Sequence, residues 1–342
     1  MTASMKDATP GRVLVTGGAG YVGSVVVEEL LRAGASRVVV LDDLSKGHAE
    51  AVVSPATLMR GDFADQALVE KVCRDEKIDA AVHMAAASLV GESVTNPAKY
   101  FHANISKGLL LLDALRAADV KRFVFSSTAA VFGEPERTPI DETVPTAPTN
   151  PYGESKLAFE KALKWYGRAY DFRSVCLRYF NAAGATEHNG EQHEPETHLI
   201  PLVLDVARGK RASVQIYGDD YPTVDGTCVR DYIHVQDLAR AHVLALRHLA
   251  AGGESDIFNL GCGGGFSVRQ VIETARAVTG HAIPAVQVPR RAGDPAVLVA
   301  SSKRIEAALG WKPEKQSLEA IIGDAWRWLS SHPHGYAHRV QS

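Results

Sequence analysis

Between Arg12 and Leu177 short apolar runs take turns with stretches of helical spacing, and nothing else in the chain restricts its fold so tightly. Arg12-Val-Leu-Val-Thr16 stops at Gly17-Gly-Ala-Gly20, Tyr21 to Arg32 carries apolar residues at helical intervals, and Arg37 to Leu41 ends at Asp42-Asp43. The same reading predicts strands over 57–60, 80–83, 122–125 and 174–177, and helices over 66–75, 97–118 and 152–170. Strands alternating with helices imply a parallel sheet covered on both faces, an α/β Rossmann-type doubly wound architecture. Ligands of such sheets bind at the carboxyl ends of the strands. Gly20, Asp42, Asp62, His83 and Ser126 to Thr128 fall on that row.

After Asn181 the texture changes. Residues 182–195 are polar and loop-like, and short strands near 213–217 and helices near 237–249, 267–279 and 318–330 suggest a smaller mixed α/β lobe. The expected organisation is a short disordered lead-in over 1–10, a dinucleotide-binding domain over 11–181, and a second lobe over 182–342. Elements near 235–260 are expected to return to the first sheet. At 342 residues the chain is long enough for two cores. A net charge of −3 gives no footing for nucleic acid or an anionic membrane surface. With no long apolar run and with widely spaced Cys73, Cys176, Cys228 and Cys262, the chain reads as a cytoplasmic protein with reduced thiols.

Gly17-Gly-Ala-Gly-Tyr-Val-Gly23 sits between a predicted strand and a predicted helix. Glycines there permit a tight turn and let backbone N–H groups approach a pyrophosphate at the positive helix end. Asp42, at the tip of the next strand, suits the hydroxyls of an adenosine ribose, and with Asp43 it would repel a 2′-phosphate, which favours NAD over NADP. Asp62 and Phe63, at the third strand tip, are placed at the adenine; the structural alternative for Asp62 is a helix N-cap.

Tyr152 and Lys156 stand four apart in Asn150-Pro-Tyr-Gly-Glu-Ser-Lys156, so a helix puts them on one face. A phenol ionises near pH 10 and is a poor base at neutrality. One ammonium about 5 Å away favours the phenolate by ~3 kcal/mol at an effective dielectric near 20. Lys156 is therefore expected to lower the Tyr152 pKa, helped by a second cation such as an oxidised nicotinamide.

With these blocks the chain resembles the extended short-chain dehydrogenase/reductase family, and within it the UDP-hexose 4-epimerases. The resemblance runs from Val13 to Tyr336 and includes Val90-Gly-Glu-Ser93, Leu177-Arg-Tyr-Phe-Asn181 and, most specifically, Tyr221-Pro-Thr-Val-Asp-Gly-Thr-Cys-Val-Arg-Asp-Tyr-Ile-His-Val235. It implies an isomerase that interconverts UDP-glucose and UDP-galactose through a transient 4-keto sugar, with a tightly held NAD. Tyr152 would be the acid/base, Lys156 would hold the nicotinamide ribose, and Thr128 would hydrogen-bond the reacting oxygen unless it is only a strand-end cap. Backbone of Tyr21 and Val22 would face the pyrophosphate, and Met84, Ala85, Ala86, Asn104 and Phe180 would line the cofactor groove. Some relatives carry a Lys where this chain has Ser88, so that cationic contact is not expected.

For the substrate, the resemblance implies Arg230 and Arg291 on the diphosphate, where guanidinium suits phosphate; the alternative for Arg230 is an ion pair with Asp231. Asn181, His198, Leu199, Tyr217 and Asp294 match positions around the nucleotide-sugar, with His198 and Tyr217 departing from the commoner Asn and Phe. Leu298 matches the position whose bulk limits the sugar C2 substituent, which leaves a UDP-N-acetylglucosamine 4-epimerase or a dual-specificity enzyme open. A homodimer is implied as well, with the helix bearing Phe159, Leu163 and Tyr166 in a helix-bundle interface; the alternative is an intramolecular core stripe.

Related 4,6-dehydratases carry Asp-Glu directly after the Thr, and related decarboxylases keep a carboxylate at the second position. Here Ala129-Ala130 can transfer no proton, which removes both. A non-catalytic NAD-binding regulator would be expected to lose Tyr152 or Lys156. Two histidine sets, His188/His193/His198 and His332/His334/His338, lack metal-site spacing and read as solvated, so no metal is expected. Gly261-Cys-Gly-Gly-Gly265 lacks the Lys-Ser/Thr of a phosphate loop and reads as a tight turn at the cleft rim.

Overall fold

A computed structural model describes residues 11–291 and 294–338. The expected lead-in over 1–10 lies outside the described residues. Six strands form in chain order, β1 (Arg12–Thr16), β2 (Arg37–Asp42), β3 (Thr57–Arg60), β4 (Ala80–His83), β5 (Arg122–Thr128) and β6 (Arg173–Tyr179). With the later strand Asp256–Leu260 they make a seven-stranded parallel sheet in the order Asp256–Leu260, β6, β5, β4, β1, β2, β3.

Strand side chains alternate between faces, and each face buries its own set. Val13, Val15, Val38 and Val40 pack under helices Tyr21–Arg32 and Val235–Ala250. Leu14, Val39, Leu41, Phe123 and Phe125 pack under helices Gln66–Asp75, Lys107–Ala117 and Pro151–Tyr170. The chain winds one way from β1 through β2 to β3 and the other way from β4 onward, so the carboxyl ends of β1 and β4 flank the topological switch, with Thr16 opposite His83.

Two boundaries differ from the sequence reading. The single helix expected over 97–118 is divided: Pro97–Phe101, a π-helical turn His102–Ser106, then Lys107–Ala117. The π turn brings Asn104 inward, where it is 3% exposed; wide turns of this kind often sit at functional sites. β5 and β6 also run further than the apolar pattern suggests, because Ser126, Ser127 and Thr128 pair with Leu177, Arg178 and Tyr179.

The second lobe has its own core. Helices Leu199–Ala207, Val268–Thr279 and Leu318–Ser331 enclose Ile200, Val203, Val271, Ile272, Ile321 and Ile322 with the strand pair Val214–Tyr217 and Ala285–Val288. The strand Asn181–Ala183 begins one residue after β6 and pairs in parallel with Tyr232–His234. The latter leads into helix Val235–Ala250, which re-covers the main sheet before Asp256–Leu260 joins it beside β6. Among the described residues no helix is long and apolar enough to cross a membrane.

Candidate active site

The turn after β1 is shaped by glycines that admit no side chain. Gly17 has φ +75°, and a Cβ on it would meet the Ala85 nitrogen at 2.4 Å. A Cβ on Gly23 would lie 2.2 Å from the Gly17 carbonyl oxygen. Gly20 caps helix Tyr21–Arg32 without a side-chain hydrogen bond, and the first turn holds no acid. Its amide groups and the positive helix end therefore suit the diphosphate of a dinucleotide. Asp42 is buried and braces this turn, accepting from Ala19 N at 3.0 Å and from Leu44 N at 2.9 Å. Burial raises its pKa while those two amides oppose the rise. Each oxygen keeps a lone pair for a ribose hydroxyl.

Asp62 is not the N-cap of the next helix; Asp65 is, accepting from Leu68 N. Asp62 accepts instead from Ala64 N at 2.9 Å and from Lys107 Nζ at 2.5 Å. Partial burial would raise its pKa, but Lys107 and the amide outweigh it and lower it. Phe63 stands edge-on to His83 at 5.0 Å. Met84 N and Ala85 N both donate to the Thr16 carbonyl, which fixes the start of the Met84-Ala85-Ala86 segment beside Gly17. Asn104 holds the next stretch, accepting from Ala87 N at 2.9 Å and donating to Ala87 O at 3.0 Å and Ser155 Oγ at 2.9 Å. These bonds fix the side chain that the sequence places beside a cofactor.

Near the ends of β5 and β6 lie the side chains that the sequence marks as reactive. Asn150 caps helix Pro151–Tyr170 by accepting from Gly153 N at 2.9 Å, which puts Tyr152 in the first helical turn. There the helix end itself favours a phenolate. The Thr128 hydroxyl accepts from Ala130 N at 3.1 Å, so Thr128 is a strand-end cap, and the same side chain opposes the rise that burial imposes on the Tyr152 pKa.

Lys156 lies buried one turn further along the same helix. Its Nζ donates to Ser126 O at 2.8 Å and lies 4.8 Å from the centre of the Phe125 ring. Burial pushes its pKa down to about 7 against the pull of Glu160, and burial raises that of Tyr152 although Thr128 opposes the rise. At the phenol burial outweighs Thr128, and it is against this burial that Lys156 and a second cation would act.

Residues that the sequence did not single out hold this helix in place. Glu160, one turn beyond Lys156, receives Arg178 of β6 through Nε at 2.9 Å and also Ser127 Oγ, all three buried. A charged residue inside the apolar run Ser174-Val-Cys-Leu-Arg178 was the available signal. Phe159 and Leu163, expected at a dimer interface, are buried in the chain's own core, and Tyr166 packs against that core with its hydroxyl on Asp113 at 2.8 Å. On that helix the intramolecular stripe wins.

The second lobe contributes a cavity of about 260 Å³ whose lining includes Asn181, His198, Leu199, Tyr217, Arg230, Arg291 and Asp294. Arg291 stacks on the Tyr217 ring at 3.8 Å, and Arg230 pairs with Asp294 and donates to Val229 O at 2.8 Å. The alternative pairing of Arg230 with Asp231 does not occur. Asp231 is fully buried, accepting from Cys262 N at 2.7 Å and from Gly263 N and Ala300 N at 3.0 Å, so the Gly261–Gly265 turn wraps a carboxylate. Leu298 stands apart from the cavity lining; it and Phe180 pack against Val131, Phe132 and Leu157, next to the Thr128 turn.

The histidines expected in solvent are not alike. His332 stacks on Trp328 at 4.8 Å, whereas His193 and His198 converge with Glu191 and Glu196. Burial would lower both imidazoles, but the carboxylates raise His193 to about 9 and His198 to about 10.

The sequence profile of the NAD dependent epimerase/dehydratase family matches residues 13–261. A UDP-glucose 4-epimerase of Halalkalibacterium halodurans is 55% identical over 95% of this chain and 97% of its own length. Among solved structures, one described as UDP-glucose 4-epimerase superposes with a TM-score of 0.93 at 50% identity, covering 96% of this chain and 100% of that one. The UDP-glucose 4-epimerase of Bifidobacterium longum, in complex with NAD+ and UDP, gives a TM-score of 0.89 at 39% identity over 95% of this chain and 99% of that one.

Proposed function

We infer that this chain, which belongs to the NAD dependent epimerase/dehydratase family, inverts C4 of UDP-hexoses, interconverting UDP-glucose and UDP-galactose with NAD as cofactor. The near-full-length likeness to UDP-glucose 4-epimerases carries the reading. Bound NAD would supply a hydride acceptor at C4 and, as NADH, the donor that returns the hydride, so no net redox change would result.

The chain's own residues supply the rest. Gly17, Gly20, Val22 and Gly23 would hold the diphosphate by backbone, Asp42 the adenosine ribose, and Lys156 the nicotinamide ribose. Tyr152 Oη takes the proton of the sugar 4-hydroxyl and later returns it. Thr128 Oγ favours the ionised form of the phenol, as does the first turn of the helix. Because burial alone raises the phenol, a cation introduced beside it has the largest leverage on its proton affinity. Arg230 and Arg291 would hold the diphosphate of the substrate, the former by exchanging Asp294 for phosphate. A firmly held nucleotide and a sugar end bordered by Leu298 and Phe180 leave the ketosugar free to turn over. Ala129-Ala130 offers no acid or base at C5 or C6, so elimination has no route.

The test is incubation of purified protein with UDP-galactose, and in parallel with UDP-GalNAc, following the C4 stereochemistry by NMR. UDP-glucose is the expected product of the first reaction. Absence of C4 inversion on either substrate sinks the assignment, and inversion of UDP-GalNAc extends it to N-acetylated sugars. The cytoplasm is the compartment that fits best, given that all four cysteines are free thiols. A homodimer is favoured by exposed Leu110 and Trp165, 40% and 63% accessible, on adjoining helices.

A further inference from the structure

Glu191, His193, Glu196 and His198 lie within eight residues of chain, and each offers a ligand atom within 4.8 Å of all the others. We propose that these four side chains form a binding site for a divalent transition-metal ion of the zinc type, clasping the loop 190–198 between the glycine turn and the substrate cavity. The geometry fits a four-coordinate ion. Bonds of about 2.0–2.1 Å in a tetrahedron place ligand atoms about 3.3–3.4 Å apart. With Glu191 Oε1 and Glu196 Oε2 as the ligand oxygens, the nitrogen–oxygen edges here are 2.8 Å (His198 Nδ1 to Glu191 Oε1), 3.3 Å (His193 Nδ1 to Glu191 Oε1) and 3.6 Å (His193 Nδ1 to Glu196 Oε2).

A second observation points the same way. His193 Nδ1 is buried and makes no hydrogen bond, although it faces both carboxylates. An imidazole that merely donated a proton to Glu191 or Glu196 would align with one of them. The carboxylates are also held ready: Glu196 Oε1 accepts from Thr197 N at 2.7 Å and His198 N at 2.8 Å, and the Glu191 side chain is only 8% exposed. Two imidazoles and two carboxylates suit zinc and its neighbours better than magnesium or calcium, which prefer all-oxygen shells. With neutral histidines, the ion cancels the two carboxylate charges.

The location gives the clasp a purpose. The His193 ring stands edge-on to Tyr21 at 6.1 Å, and Tyr21, the first residue of the glycine-turn helix, donates through its hydroxyl to Gly184 O at 2.7 Å. His198 caps the helix Leu199–Ala207 and lines the cavity. An ion held here ties the cofactor-side turn to the substrate-side helix.

The inference does not depend on the epimerase reading, because its test reads metal rather than turnover. Untagged full-length protein is stripped with a chelator and titrated with cobalt(II) while visible spectra are recorded. One equivalent per chain with the intense bands of four-coordinate cobalt is expected, and zinc should bleach them and raise Tm. Glu191→Gln, nearly isosteric, and His193→Ala should each weaken binding by more than the roughly 10- to 100-fold typical for loss of an outer hydrogen-bond partner. If wild type shows only the weak spectrum of six-coordinate aqueous cobalt, the cluster is an ion-pair network and the proposal is overturned. Binding that is equal in both variants places the ion elsewhere and overturns it too.

Discussion

The cradle after β1 is made of backbone, whereas the cavity of the second lobe is made of side chains, and the two regions respond differently to change. At the cradle Gly17 and Gly23 bring main-chain atoms so close that a single methyl group collides with a carbonyl or an amide. In the cavity Arg230 and Asp294 satisfy one another, and Arg291 rests on Tyr217. A backbone site is rigid and intolerant. A side-chain site can exchange one partner for another. Thr128 and Lys156 lie with the first kind, because Ala130 N and Ser126 O hold them through main-chain hydrogen bonds, and Asn150 fixes the helix start beside Tyr152 by accepting from Gly153 N.

That contrast can be broken or sharpened by experiment. Tyr152→Phe should lower kcat by about 10²- to 10⁴-fold, the range for loss of a general acid/base, while cofactor content stays at the wild-type level by absorbance. Near-normal turnover would take the phenol out of the chemistry. Arg178→Met strands Glu160 among buried groups and should cost about 3–5 kcal/mol of stability, read by denaturant unfolding. A neutral result would show that the long helix is positioned by its apolar contacts alone. Gly23→Ala forces its methyl on the Gly17 carbonyl, and overpacking of about 1–3 kcal/mol translates into roughly 5- to 150-fold weaker dinucleotide binding with helix content unchanged. Arg230→Ala should act on KM rather than kcat, reducing kcat/KM by about 10- to 100-fold, the worth of one charge-assisted hydrogen bond. If kcat falls instead, the cavity is as rigid as the cradle.

The last effect is confined to a pH window and concerns Lys156. Its folded pKa of about 7 lies below its ordinary value of 10.5. Between those values the unfolded chain binds the proton more readily than the folded one. Stability therefore rises with pH across that window, by up to about 1.4 kcal/mol per pH unit from this group. Below about 7 the cost of burying the charge is borne in full. Lys156→Met should flatten the difference, which parallel denaturations at several pH values would measure.

What the sequence revealed followed the range of the interactions involved. Gly17, Asp42 and the alternation of β1 to β4 are local features, and a turn that needs φ of +75° or a run buried on both faces leaves a mark on neighbouring residues. Lys156 was placed correctly on the helix, but its anchor, Ser126 O, lies 30 positions away, and burial of the pair leaves no trace in a spacing rule. Phe159 and Leu163 show the same limit: an apolar stripe announces that something covers it, and only the packed sheet shows that the cover is Phe123, Phe125 and Leu112 of the same chain. His198 is exposed as a loop residue should be, but its meeting with His193, Glu191 and Glu196 runs through a curl of backbone that no periodicity describes.

The strands Asn181–Ala183 and Tyr232–His234 carry the chain out of the main sheet and back again, hydrogen-bonded side by side. A protease that nicked the intervening polar loop would cut one polypeptide into two without separating them, since both fragments would still share this ladder and the seventh strand of the sheet. The two lobes are thus wedded by a double bridge and not by a single thread.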